Sequence, residues 1–243
     1  MVEDSHILDQ QIKYKADDHL DQMHMNNIDV KANHIYLHGD TDYIGKIDGD
    51  PTGQPGVEFA MAAKFIKNMN ILMRKNSTTP ILIHSFTCGG DWSFGMAIYD
   101  MIKSCPVPVT ILNYAEARSM SSIIFQAANK RVMMPNSIFM FHRGTLSISG
   151  TVTQVESSVE FNKLTDITML DIYVKSMKRS GKFSRKSKEY IREWLVDQMN
   201  KKEDVYLTAE QTVEYGLADY IFGEDDKYDW GKLTDYTAED LSR

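Results

Sequence analysis

The feature that most constrains this fold is a pattern that occurs three times between about residues 33 and 134. In each copy a short apolar run is followed by a loop containing Gly or Pro and then by a stretch with helical spacing. The runs are residues 34–38, 80–84 and 108–112, and the helical stretches are about 56–76, 91–104 and 119–129. Short runs rich in β-branched residues favour buried strands. Strand, helix and strand in succession predict parallel pairing with right-handed crossovers, and therefore an α/β core.

The pattern changes after the third copy. Residues 137–142 predict a further strand, and residues 144–152 alternate small polar and apolar side chains around two glycines, which suits an exposed strand. A long helix is predicted over about 153–179, and its polar centre suggests packing against a partner subunit. The sequence at 208–211 fits a capping box that opens a short helix before a last strand at 220–222.

Both ends of the chain are acidic. Residues 1–32 show no sustained apolar period and predict a mobile arm without a role in the core. The domain is expected over 33–223, and residues 224–243 are expected to form a frayed acidic tail. The change in pattern near residue 150 marks a subregion rather than a second domain.

Composition excludes several classes of function. The 243 residues are 42% hydrophobic and 25% charged, the ordinary mix of a globular protein. A net charge of -7 argues against broad nucleic-acid binding. The sequence has neither a membrane-spanning run nor a signal pattern, so we expect a cytoplasmic protein without a membrane partner. Cys88 and Cys105 fit no zinc pattern and are interpreted as small buried hydrophobes, so no metal is expected.

Three positions could carry chemistry. Gly89-Gly90 lies between a strand and a helix, where backbone N–H groups can bind a carbonyl oxygen, although a tight turn explains the glycines equally well. Ser119 begins a helix and is either a nucleophile or, more often for an isolated serine, an N-cap. His142 ends a strand and becomes a general base only if a nucleophile and a carboxylate converge on it. Two further histidines that end strands, His38 and His84, are interpreted as structural.

The order of these motifs closely resembles the family of Clp protease proteolytic subunits, ClpP, from about residue 35 to about residue 222. The matching segments are Gly89-Gly90, 95–100, Ser119-Met120, 135–142 and 214–219. The resemblance implies a crotonase-like superhelix of repeated β-β-α or βαβ units. It also implies a protruding long-helix handle, over about 144–180, and a divergent, phage-type member is one interpretation of this chain.

The resemblance assigns roles to particular residues. Ser119 matches the family nucleophile, His142 matches the general base, and Asp204 matches the acid that orients it. Glu203 and Asp197 are nearby competitors for the last role. The backbone N–H groups of Gly90 and Met120 match the oxyanion hole. Residues 144–150 match the strand that pairs with substrate, with contacts expected from Gly144, Thr145, Leu146 and Ser147.

The resemblance implies a serine endopeptidase that degrades unfolded proteins inside heptameric rings stacked into a tetradecamer. An AAA+ unfoldase would feed the chamber and would use the ATP, so the chain itself needs no cofactor. Three alternatives remain open: a noncatalytic ring subunit, a phage capsid-maturation protease and, less favoured, a crotonase-type acyl-CoA enzyme. Activity retained after Ser119→Ala would point to the last.

Overall fold

The computed structural model describes residues 23–39, 56–75, 78–224 and 229–241. Its strands are β1 (Ile28–Asp29), β2 (His34–Leu37), β3 (Ile81–Thr87), β4 (Val109–Arg118), β5 (Lys130–Met133), β6 (Ile138–Phe141), β7 (Val205–Thr208) and β8 (Tyr220–Ile221). Its helices are α1 (Phe59–Lys75), α2 (Trp92–Lys103), α3 (Met120–Phe125), α4 (Val152–Met177), α5 (Lys188–Lys202), α6 (Ala209–Glu214) and α7 (Ala238–Leu241).

The eight strands form one mostly parallel sheet that divides at β4. β2, β3 and β4 are parallel neighbours, connected in sequence by α1 and α2. Residues 110–113 of β4 pair with β5, whereas residues 116–118 pair with β6. β7 then joins the far side of β6 in antiparallel orientation. The predicted α/β class is confirmed, and the sheet is consistent with the fold that the resemblance implies.

Helix ends follow from local side-chain chemistry. Asp91 caps α2, because its carboxylate accepts a hydrogen bond from the Phe94 N–H at 3.0 Å. Thr151 and Gln154 form a capping box at the start of α4. The predicted capping box of α6 is confirmed, since Thr208 and Gln211 exchange hydrogen bonds between side chain and backbone.

α4 is the long helix that the sequence predicts. Its buried residues begin only at Met169, so the preceding turns are largely exposed. Several large apolar side chains are among the exposed ones, namely Val152, Val159, Phe161, Leu164 and Ile167. Within the described ranges no helix is both long enough and apolar enough to cross a membrane.

The predictions for the two ends are wrong where the structure describes them. Ile28 is buried in the main core and pairs with Ile35, so part of the predicted N-terminal arm has a core role; residues 1–22 lie outside the described residues. At the other end Leu233 is fully buried against β3, β4 and β5. Its carbonyl oxygen accepts a hydrogen bond from the Thr110 hydroxyl at 2.7 Å, so this segment is packed rather than frayed.

The strand predicted over residues 144–152 is also wrong. Residues 142–151 have no regular secondary structure, and α4 starts at Val152. A strand needs a neighbour that completes its hydrogen-bond ladder, and no part of the described chain lies alongside this segment as one. Among the hydrogen bonds of the described residues, none involves a backbone group of residues 143–149.

Candidate active site

Two neighbouring parallel strands end at the same edge of the sheet and place a serine beside a histidine. Arg118, the last residue of β4, is paired with Met140 of β6. Ser119 follows at once, and its N–H donates to the Met140 carbonyl oxygen at 3.0 Å. His142 follows the last residue of β6. The two predicted residues are therefore brought together by strand register, although 23 positions separate them in the sequence.

β7 brings the carboxylate to the same place. Because β6 and β7 are antiparallel and Phe141 pairs with Val205, the preceding residue, Asp204, lies next to His142. Asp204 Oδ1 is 2.9 Å from His142 Nδ1, and His142 Nε2 is 2.8 Å from Ser119 Oγ. In the tautomer with its proton on Nδ1, the imidazole donates to Asp204 and accepts from the serine hydroxyl.

The backbone of Ser119 is held in an unusual conformation, with φ 52° and ψ −125°. Positive φ is unfavourable for a residue with a Cβ atom and is found where surrounding structure enforces it. Although Ser119 occupies the N-cap position of α3, its side chain makes no capping hydrogen bond and is directed to His142. The capping interpretation of this serine is therefore wrong.

Two buried serines brace this turn. The Ser121 hydroxyl lies 2.8 Å from the Thr87 carbonyl oxygen and also bonds to the backbone of Arg118. The Ser122 hydroxyl lies 2.5 Å from the Ser119 carbonyl oxygen and 2.7 Å from the Tyr173 hydroxyl. Sequence reasoning did not assign this bracing role. From the sequence, a serine in the first turn of a short helix can have many roles, and only the fold shows which groups surround its hydroxyl.

Gly89 and Gly90 must be glycines because other parts of the backbone approach them closely. A Cβ atom on Gly89, where φ is +99°, would lie 2.5 Å from the Arg118 carbonyl oxygen and 2.8 Å from Ser119 Cβ. A Cβ atom on Gly90 would lie 2.4 Å from the Val57 carbonyl oxygen. Only glycine fits at either position without displacing backbone, so close approach of backbone, and not the tight turn that the sequence suggests, requires the glycines.

Gly90 and Met120 also present backbone groups beside the serine. The Val57 N–H donates to the Gly89 carbonyl oxygen, and the Val57 carbonyl oxygen accepts from the Asp91 N–H, so Val57 is bonded on either side of Gly90. Met120 is the first residue of α3, where a backbone N–H has no acceptor within the helix. Both residues line the same cleft as Ser119 and His142.

The serine and histidine open into a cleft of about 860 Å³. One wall is the irregular segment after His142, including the predicted contacts Gly144, Thr145, Leu146 and Ser147. α4 also lines the cleft and contributes Phe161, Thr165, Asp166 and Met169. The cleft is therefore bordered in part by backbone that makes no hydrogen bond to other described residues.

The competitors for the acid role make no hydrogen bond to His142. Asp197 forms an ion pair with Lys201 at 2.7 Å, and Glu203 is the C-terminal cap residue of α5.

Arg118, beside the serine, lies 3.5 Å from Glu116 and is not among the residues that line the cleft. In the described ranges, His, Cys, Asp and Glu side chains form no group of three that could hold a metal ion.

Fold and site together define a mixed α/β protein in which serine, histidine and aspartate are joined in the order used by serine hydrolases. The family model for Clp protease matches residues 53–225. The chain belongs to the Clp protease family, which confirms the resemblance.

Named relatives agree with this assignment. The chain is 29% identical to the ATP-dependent Clp protease proteolytic subunit of Deinococcus radiodurans over 69% of its length and 77% of that protein. It is 29% identical to proteolytic subunit 2 of Treponema denticola, over 66% of this chain and 75% of that protein. It is 28% identical to proteolytic subunit 1 of Streptomyces avermitilis, over 68% of this chain and 71% of that protein.

Proposed function

We propose that the chain is a serine endopeptidase in which Ser119, His142 and Asp204 form the catalytic triad. The observation that carries this proposal is the continuous hydrogen-bonded path from Asp204 Oδ1 through the imidazole to Ser119 Oγ. The strained backbone of Ser119 supports it as well, because the turn presents the hydroxyl to the cleft instead of to the helix.

The proposed reaction follows from this geometry. Ser119 Oγ attacks the peptide carbonyl carbon while His142 Nε2 takes the hydroxyl proton, and Asp204 stabilises the resulting imidazolium. The N–H groups of Gly90 and Met120 stabilise the oxyanion. His142 then gives its proton to the departing amine. A water molecule, deprotonated by the same imidazole, hydrolyses the acyl-enzyme and regenerates the serine.

The segment after His142 supports an extended peptide as substrate. The backbone groups of residues 143–149 make no hydrogen bond to described residues, and Gly144, Thr145, Leu146 and Ser147 line the cleft. A substrate chain lying beside them would supply the missing ladder. Main-chain pairing requires an unfolded substrate and depends little on its side chains.

Assembly and partners are part of the same proposal. We expect the superhelix-and-handle architecture of the family, heptameric rings stacked into a tetradecamer, and an AAA+ unfoldase that supplies unfolded chains at the expense of ATP, in the cytoplasm. The relatives are named as proteolytic subunits of an ATP-dependent protease, which supports a partner of this kind. The exposed apolar side chains of α4 support subunit contacts.

The test is covalent labelling of the assembled protein with a fluorophosphonate, followed by intact-mass measurement. An activated serine attacks the phosphorus and retains the adduct, so we expect one adduct per chain in the wild type and none in Ser119→Ala. Ser93→Ala, which changes another serine lining the cleft, is the matched control and should label like the wild type. Absence of the adduct in a correctly assembled wild-type protein would favour the noncatalytic ring subunit instead.

A further inference from the structure

One wall of the cleft carries an acidic side chain that the proposed chemistry does not use. Asn162, Asp166 and Met169 follow one another at helical spacing along α4, and all three line the cleft. Asp166 therefore lies on the face of α4 that lines the cleft. The remaining charged residues that line the cleft are Asp91 and Arg143.

No close cationic partner neutralises Asp166 among the described residues. Among the described residues no cationic nitrogen lies within 4.0 Å of its carboxylate. Burial raises the pKa of Asp166, and the charge of Arg143 partly opposes that effect. The ionised carboxylate has thus lost part of its hydration, and a cation placed beside it would be stabilised.

The surroundings of Asp166 favour one kind of cation. Met169, one turn along the helix, and Ile123 line the cleft but are nearly fully buried, so the exposed Phe161 presents most of the apolar surface there. Lysine and arginine side chains combine a long aliphatic stem with a charged end, so they can pack against such surface and still reach a carboxylate. A small cation would leave the apolar surface uncovered.

We propose that Asp166 is a specificity-determining residue that makes the cleft favour peptides with a lysine or arginine near the scissile bond. This inference rests on the proposed peptidase function. Asp91, which is occupied as the cap of α2, adds a second negative charge, whereas Arg143 opposes the preference.

The first experiment compares hydrolysis of paired peptides. Lysine is placed in turn at each position on either side of the cleaved bond, and each peptide is matched with one that has norleucine, the uncharged analogue of similar shape, at that position. The wild type should show kcat/KM about tenfold higher for lysine than for norleucine at one position, and Asp166→Asn should bring that ratio to about one. Glu160→Gln removes the same charge from an exposed position of α4 outside the cleft and should keep the wild-type ratio.

The second experiment measures binding without turnover. Fluorescence anisotropy of the same peptides is recorded on Ser119→Ala and on Ser119→Ala combined with Asp166→Asn. If the lysine peptide binds more tightly only when Asp166 is present, but the wild type hydrolyses no peptide, the proposed specificity is supported and the proposed peptidase function is overturned. Hydrolysis with an equal lysine-to-norleucine ratio in wild type and Asp166→Asn would overturn the specificity and leave the peptidase intact. Absence of both binding and hydrolysis would overturn both.

Discussion

Asp204 is the most exposed member of the proposed triad: 45% of its side chain is accessible, compared with 20% for His142. Water can reach this carboxylate and compete for its hydrogen bond, so we expect the aspartate to contribute less than Ser119, the proposed nucleophile. The three residues are therefore expected to differ in how much activity each one carries.

Asp204→Asn is expected to lower kcat by roughly 10³, against 10⁴ to 10⁶ for Ser119→Ala. The amide can donate to Nδ1, and that interaction favours the tautomer whose Nε2 cannot accept the serine proton. Steady-state peptide hydrolysis measures both losses. Glu203→Gln, at the adjacent position, should stay within about twofold of the wild type, and an equal loss there would refute the assignment of the acid.

His84 has a structural environment of its own, away from the cleft. Its Nε2 lies 3.1 Å from His34 Nδ1, and its Nδ1 lies 2.9 Å from the Tyr114 hydroxyl. The ring stacks on Tyr36 with centroids 4.6 Å apart, and Trp230 packs nearby. Burial, and to a smaller extent the neighbouring His34, lower the pKa of His84 to about 4, against the opposing effect of Asp29. The structural interpretation of this histidine agrees with these contacts.

The low pKa of His84 predicts a loss of stability in mild acid. The unfolded chain takes up a proton on this side chain near its ordinary pKa of 6.5, whereas the folded protein does not until the pH approaches 4. Stability is therefore full above the ordinary value and falls by about 3 kcal/mol as the pH drops through this window. Urea unfolding at several pH values across this window should show that the free energy of unfolding of His84→Phe, which retains an aromatic ring, depends less on pH than that of the wild type. Parallel profiles for the two proteins would contradict the prediction.

At the scale of elements, the sequence predicts the parts that have a strong local signal. The apolar runs that became β2, β3 and β6, the apolar face of α2 and the capping box of α6 are each set by neighbouring residues. β1, β5 and β7 were not predicted. β1 has only two residues, too few to establish a period. Their pairing is decided by long-range contacts that no local window contains.

The candidate site follows the same division. Gly89-Gly90, Ser119 and His142 could be singled out because each lies where a strand ends, and the resemblance ordered them. The choice of Asp204 over Glu203 depends on the register of β7 against β6, since a shift of one residue would exchange them. Asp166 gave no signal, because an acidic residue in a polar helix usually faces solvent.

The packing of the C-terminal segment gives a prediction for stability. Leu233 is fully buried against Leu82, Leu112 and Val132, so Leu233→Ala leaves a cavity and should lower the free energy of unfolding by about 2–4 kcal/mol. Leu241→Ala removes the same atoms from a side chain that is 54% exposed and should cost less than about 0.5 kcal/mol. Urea unfolding at one fixed protein concentration measures both values. Equal effects would mean that this segment does not pack against the sheet in solution.

For the whole molecule, the exposed face of α4 predicts association. Leu164 and Ile167 lie one turn apart and are 61% and 51% exposed. A glutamate at position 164 would have to lose its hydration in any contact that buries this face, so Leu164→Glu should convert the assembly into smaller species. Native mass spectrometry measures the change. Lys163→Glu, at the exposed neighbouring position, is the control, and an unchanged mass for both variants would exclude this face from the interface.

The positions of Ser119, His142 and Asp204 are set by pairing of the main chains of β4, β6 and β7. Main-chain hydrogen bonds are the same whichever side chains the strands carry. Most side chains around the site can therefore be substituted without changing its geometry, provided that the strands still pair in this register. A lineage can exchange its cleft walls and its outer surfaces over long evolutionary times, and so acquire new substrates or new partners, without having to rebuild the reacting centre.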